Sequence, residues 1–158
     1  MPPPLLLPLK EIDLDRVVIS REQVYTRLPH RYEFMLLGGV CHIDNANAKA
    51  IAFADISLND WWVRGHVPGK PLLPGVLMLE MAGQASAVLA ASCWNVGGFI
   101  GFGGVDECKF RDSIIEPTRL YILIHGIEHR PRRIICHTQG VANGKLIFEA
   151  KITGVTLT

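Results

Sequence analysis

The sequence predicts an α+β fold in which a curved antiparallel sheet wraps one long helix. Two observations predict it. First, the segment from Pro74 to Ser92 carries Val76, Leu77, Leu79, Met81, Ala82, Ala85, Val88 and Leu89, which put apolar groups on nearly every helical face. A helix of that kind, roughly 27 Å long, is buried on most sides. Second, four β-rich runs follow it: Phe99 to Phe110, Leu120 to Glu128, Ile134 to Val141 and Leu146 to Leu157. Asn143-Gly144, between the last two, is a two-residue hairpin signal. A buried helix and an antiparallel sheet make an economical layer pair.

The other elements follow in order. Residues 1–19 read as an extended arm, stiffened by Pro2, Pro3, Pro4 and Pro8 and lacking the basic start and cleavage site of a signal peptide. Ser20-Arg21-Glu22-Gln23 has capping-box spacing and opens a short helix to about Arg27, which Pro29 ends. Leu36 to His42 and Lys49 to Leu58 read as strands joined by the polar turn Asp44-Asn45-Ala46-Asn47. Trp61 to Pro74 reads as loop, with Pro74 in the first helical turn, where its missing N–H costs nothing. Between Gly97 and Gly104 five glycines break the pattern, allowing a strand to pack closely on the helix or to border a ligand tunnel. With no repeat and no linker, residues 1–158 read as a single domain.

Composition narrows the function. The chain is 49% hydrophobic with a formal net charge of +1, so its overall charge favours no nucleic acid. No charge-free apolar run reaches the roughly 18 to 20 residues of a membrane span; Leu72 to Trp94 is interrupted by Pro74, Glu80 and Gln84. Cys41, Cys93, Cys108 and Cys136 lack metal spacing and read as buried free thiols of a reducing, cytoplasmic compartment. His30, His42, His125, His129 and His137 form no ligand cluster, and nucleotide-loop and serine-elbow motifs are missing.

The chemistry concentrates between Gly65 and Gln84. His66 sits on a Gly/Pro-punctuated loop; it reads as a general base or, more plainly, as a histidine bonding a turn. Glu80 is the only charged residue of the apolar helix, costly there unless used or paired, and Gln84 lies one turn on, on the same face. The free amides of Gly75 and Val76 stand at the positive end of the helix and can polarise a carbonyl. A base, an acid and a carbonyl polariser suit proton abstraction α to a carbonyl with loss or gain of water at the β carbon, without metal or soluble cofactor.

Three stretches carry a resemblance: Leu28-Pro29-His30-Arg31-Tyr32, Gly65-His66-Val67-Pro68-Gly69-Lys70-Pro71, and Pro74 through Gln84. They resemble the FabZ-type 3-hydroxyacyl-[acyl-carrier-protein] dehydratases of fatty-acid synthesis, and Gly104 to Arg111 resembles the strand after that family's central helix. The resemblance spans roughly residues 20 to 155. It implies a hotdog fold and a homodimer, which in the family associates further into a hexamer, a trimer of dimers. It implies that His66 of one subunit works with Glu80 of the other and that Gly75 supplies the backbone amide to the thioester carbonyl. The substrate would be a (3R)-hydroxyacyl group on the phosphopantetheine of an acyl carrier protein, released as the trans-2-enoyl thioester. Glutamate at position 80 separates this branch from the related dehydratase–isomerases.

The chain departs from the family pattern in four places. Glu33-Phe34-Met35-Leu36-Leu37-Gly38-Gly39-Val40 stands where the family has Pro-Phe-Leu-Leu-Val-Asp-Arg-Val. The family's tyrosine before the strand falls at Ile100 or Gly101, its Phe-Phe before Gly-His becomes Trp61-Trp62-Val63-Arg64, and its later Lys-Arg becomes Arg111-Asp112. A weakly gated tunnel is therefore expected, bordered by Trp62, Phe99, Ile100, Gly101 and Phe102. Lys109, Arg111, Arg130, Arg132 and Arg133 are the candidate charges for carrier docking. The rival readings are a hotdog thioesterase, with Glu80 activating water, and a non-catalytic acyl-binding hotdog protein.

Overall fold

The computed structural model describes residues 1–157. The chain runs β1 (Ile19–Ser20), α1 (Arg21–Arg27), β2 (Gly39–Asp44), β3 (Lys49–Ile56), α2 (Val63–His66), α3 (Gly75–Cys93), β4 (Phe99–Phe110), β5 (Thr118–Arg130), β6 (Arg133–Ala142) and β7 (Lys145–Leu157). The strands form one seven-stranded sheet in the order β1-β2-β3-β5-β6-β7-β4, and every neighbouring pair is antiparallel. Helix α3 packs across β3, β4, β5, β6 and β7. This is the hotdog arrangement: a sheet curled round its central helix.

The predicted capping box is present. Ser20 Oγ accepts from the Gln23 amide at 3.2 Å and Gln23 Oε1 accepts from the Ser20 amide at 2.9 Å. The helix face of the sheet holds the main core, where Leu77, Met81, Val88 and Leu89 share one cluster with Ile122, Ile134, Phe148 and Ile152. Burial of most of residues 77–90 accounts for the apolar character of α3, which by length and mean hydropathy (1.5) could itself pass for a membrane span despite Glu80.

The opposite face of the sheet is also covered. The N-terminal arm is less extended than the sequence suggests: it holds a 3₁₀ turn at Leu9–Glu11 and lies on a second cluster of Cys41, Ile51, Phe53, Leu123 and Val141, into which Leu7 is buried. Gln139, itself buried, holds the arm through its amide, accepting from Leu6 N and donating to Pro4 O at 2.8 and 3.0 Å.

Several boundaries differ from expectation. Strand β2 starts at Gly39 rather than Leu36, because Leu37 is drawn under α1, its amide donating to the Tyr25 hydroxyl at 2.8 Å. Strand β3 ends at Ile56, where Ser57 N turns to Asp60 Oδ2. The loop before α3 contains the single turn α2. Pro74 is the cap of α3 rather than its first helical residue; its backbone is extended and its carbonyl accepts from Leu77 and Met78.

Candidate active site

Helix α2 and the loop after it place His66. Its Nδ1 lies 2.7 Å from the Leu72 carbonyl oxygen. A carbonyl can only accept, so Nδ1 carries the proton and the neutral ring presents a bare Nε2. That is the tautomer a general base requires. The ring is exposed, and His66 is not among the residues bordering the cavity beside Glu80.

At the start of α3 the amides of Gly75 and Val76 have no acceptor among the described residues. Gly75 has a packing reason as well as a chemical one: a Cβ there would lie 2.9 Å from the Phe110 ring. Val76 is 71% exposed, which leaves this helix end open to a ligand in the single chain.

Glu80 is held by side chains of its own chain. Leu37 N–H donates to Tyr25 Oη, so the Tyr25 hydroxyl must donate onward, to Gln84 Oε1 at 2.7 Å. That fixes the orientation of the Gln84 amide, whose Nε2 donates to Phe34 O and to Glu80 Oε1, each at 2.9 Å. Burial pushes the Tyr25 hydroxyl up to about 12, so it stays a donor across the working pH range. His30 Nε2 stands 3.3 Å from the same Oε1. Sequence reading selected Gln84 but missed Tyr25 and His30. His30 lies in the quoted Pro-His-Arg stretch, yet nothing in a linear spacing of fifty residues links it to Glu80.

A cavity of about 190 Å³ opens beside this group. Glu80, Gln84 and His30 border its polar side, and Val96, Ile134 and Ile152 its apolar side. Phe99, Ile100, Gly101 and Phe102 border it as expected, but not alike. The Phe102 ring lies over α3 at Gly83, where a Cβ would approach it to 2.8 Å. Ile100 packs over Gly154 on the helix side, whereas a Cβ on Gly101 would meet the exposed Leu157 side chain on the outer side. The inward position of this strand is therefore Ile100, and Gly101 borders the cavity through its backbone. Trp62 does not join this cavity in the single chain. It is buried beside Met81 and, with Trp61, borders a separate cavity of about 460 Å³.

The five candidate docking charges divide. Arg111 is tied to Glu149, and Arg130 and Arg133 both to Glu128. Lys109 and Arg132 make no ion pair among the described residues. No cluster of three or more His, Cys, Asp or Glu with metal-binding geometry occurs among the described residues. The four cysteines are free, but only Cys41 and Cys136 are buried; Cys93 is half-buried and Cys108, on the edge strand β4, is exposed.

Solved structures share this architecture. A dehydratase heterocomplex, ApeI:P of Xenorhabdus doucetiae, matches with a TM-score of 0.71 at 16% identity, covering 85% of this chain and 91% of that one. A mutant of the thioesterase PA1618 of Pseudomonas aeruginosa matches with a TM-score of 0.65 at 16% identity, covering 90% and 97%. At such identities the likeness establishes the class, a hotdog-fold protein. Sequence similarity goes further. Residues 28–151 match the FabA-like domain family. The chain is 36% identical over 140 residues to the 3-hydroxyacyl-[acyl-carrier-protein] dehydratase FabZ of Haemophilus influenzae (strain 86-028NP), covering 85% of this chain and 92% of the relative. It is 31% identical over 136 residues to the FabZ of Lawsonia intracellularis, covering 84% and 88%. The chain belongs to the FabA-like family, among its FabZ dehydratases.

Proposed function

We propose that the chain is a 3-hydroxyacyl-[acyl-carrier-protein] dehydratase of fatty-acid or related acyl biosynthesis, a hydro-lyase that converts a (3R)-hydroxyacyl thioester into the trans-2-enoyl thioester and water. The observation that carries this reading is the pair of anchored groups: a histidine whose Nδ1 is tied to Leu72 O, and a glutamate whose Oε1 is held by Gln84. His66 Nε2 removes the C2 proton. Negative charge builds on the thioester oxygen, where the Gly75 and Val76 amides receive it. Glu80 protonates the departing C3 hydroxyl, directly or through a water it holds. The base gains one proton and the acid loses one, so the products are enoyl thioester and water.

The site is completed across a dimer. In one chain His66 lies outside the Glu80 cavity, so His66 acts with the partner subunit's Glu80. Strand β4 supports this: among the described residues it has a neighbour, β7, on one side only, and it leaves Phe99, Phe102 and Phe110 about half exposed. The acyl group is carried on the phosphopantetheine of an acidic carrier protein, with Lys109 and Arg132 as the available docking charges. No metal or soluble cofactor takes part, and the reaction runs in the cytoplasm.

Assay of the purified protein with 3-hydroxyacyl and crotonyl thioesters, on carrier protein and on coenzyme A, tests the reading. Interconversion of hydroxyacyl and enoyl thioesters is expected. His66→Ala and Glu80→Gln should each lower turnover by at least about 10²-fold. Release of free acid would instead identify a thioesterase, and near-normal activity in either variant would sink the mechanism.

A further inference from the structure

We propose that His30 is a positioning residue for Glu80: with the Gln84 amide it engages Oε1, so that the transferable proton is carried on Oε2. The inference rests on the dehydratase reading and adds to it a residue from the acid's own subunit.

Three observations carry it. First, the direction of the Gln84 bonds is fixed from outside. Leu37 N–H fills the acceptor side of Tyr25 Oη, Tyr25 donates to Gln84 Oε1, and Gln84 can then offer Glu80 only N–H. An oxygen that already accepts an N–H is a poor place for a proton that must leave toward substrate. Second, His30 Nε2 lies 3.3 Å from that same oxygen, while no hydrogen bond reaches Oε2 among the described residues. A neutral imidazole has one N–H, and a facing carboxylate keeps it on Nε2. The other nitrogen, Nδ1, is buried without a partner among the described residues. Leaving an acceptor so exposed to desolvation is costly, and it is tolerated here because the ring cannot turn without losing Glu80. Third, the segment carrying His30 is braced. Arg31 Nη1 donates to Leu28 O at 2.9 Å and to His30 O at 2.7 Å, clamping the chain on both sides of Pro29.

The chemical consequence is differential. When Oε2 gives up its proton, negative charge appears on a carboxylate already facing two N–H groups at Oε1. Their interaction is stronger with the ionised product state than with the neutral acid, so it favours proton delivery as the C–O bond breaks. The charged and titratable groups around Glu80 are His30 from the segment after α1, Tyr25 from α1 through Gln84, Arg21 over the Tyr25 ring at 5.9 Å, Arg27 on the cavity wall and, in the proposed dimer, His66 across the subunit boundary. None of them replaces the His30 contact with Oε1.

The test is the pH dependence of kcat and KM for the native enzyme, His30→Ala and His30→Gln with a 3-hydroxyacyl thioester. His30→Ala is expected to lower kcat about tenfold, the scale of one hydrogen bond to a charged group, and to leave KM within about twofold. It should also move one limb of the profile to higher pH, because a donor that favours the ionised carboxylate is gone. His30→Gln, which can offer an amide N–H from a similar reach, should restore most of both. A His30→Ala enzyme with native kcat and an unmoved profile overturns the proposal, as does a loss that His30→Gln leaves unrepaired. Should His30→Ala fail to fold, the carboxyl-carbon NMR titration of Glu80 in His66→Ala, which removes the imidazole across the dimer, decides. It should show a second inflection that coincides with the one seen in the His30 ring resonances, and a single inflection refutes the contact. An inactive native protein would strike the dehydratase reading, while that titration still judges His30.

Discussion

Tyr25 sets the direction of every hydrogen bond that reaches Glu80 through Gln84. It is 4% exposed, and burial raises its hydroxyl from 10.0 to about 12. The unfolded chain therefore loses this proton before the folded one does. The resulting stability is complete below pH 10 and is lost as pH climbs toward 12. Cys41 and Cys136, raised by burial to about 11 and about 12, act with the same sign. The tyrosine's share is the difference between native protein and Tyr25→Phe. Urea midpoints from pH 8 to 11 should fall less steeply in Tyr25→Phe, although that variant starts lower by about 1–3 kcal/mol for the acceptor left unpaired on Gln84. Equal slopes would mean the hydroxyl is not buried as described.

Ile100 and Gly101 give a second prediction at this scale. Because Ile100 faces the helix and Gly101 faces outward, chain-length preference should answer to position 100. Ile100→Tyr should cut kcat/KM for eight-carbon acyl thioesters at least about tenfold more than for four-carbon ones, since denying burial to even two of the four extra methylenes costs about 1.6 kcal/mol at about 0.8 kcal/mol each. Gly101→Tyr should leave the ratio of the two nearly unchanged. The opposite ranking would place the gate at Gly101.

At the scale of elements, aromatic rings settle on missing side chains. Phe110 lies on Gly75 and Phe102 on Gly83, which brings β4 down onto α3 beside Glu80. The tightest case lies in the sheet, where Gly140 of β6 is paired with Phe148 of β7 and a Cβ at 140 would stand 2.2 Å from the buried ring. Phe148 is fully buried and cannot yield. Gly140→Ala should cost about 1–3 kcal/mol or more by overpacking, a fall of about 2–4 °C in Tm for each kcal/mol in a chain of this size. A thermal melt with native Tm would refute this register of β6 and β7.

At the scale of the whole molecule, both faces of the sheet are apolar and each has its own cover. Helix α3 covers one; the N-terminal arm covers the other. Deleting residues 1–12 would uncover Ile51, Phe53 and Leu123 and strand the Gln139 amide. The truncated protein should melt well below the full chain and expose apolar surface to a hydrophobic dye; equal dye binding would mean the arm is dispensable. The proposed shared site makes a further demand. Co-expressed His66→Ala and Glu80→Gln chains that pair at random form about half mixed dimers, each with one intact site, so about a quarter of native activity should return. A mixture as inactive as its parents would refute the assignment of His66 and Glu80 to different subunits.

The residues proposed to carry chemistry were legible as candidates because they are local. His66, Gly75, Glu80 and Gln84 lie on one stretch whose glycine, proline and charge spacing names a loop, a helix start and an acid on an apolar helix. The long helix, the capping box and most strand limits were legible for the same reason, since period, cap and turn are short-range signals. Tertiary structure alone decided the rest. It brought Tyr25 and His30 to Glu80 across fifty residues or more, turned Ile100 inward and Gly101 outward by the pleat, and spent Arg111, Arg130 and Arg133 on neighbouring carboxylates. It also laid the proline-rich arm on an apolar sheet face. A sequence displays what a residue can do with its near neighbours. Which distant group occupies a side chain's hydrogen bonds, and which face of a strand meets the helix, depends on strand pairing and register, and those are set by burial summed over the whole chain.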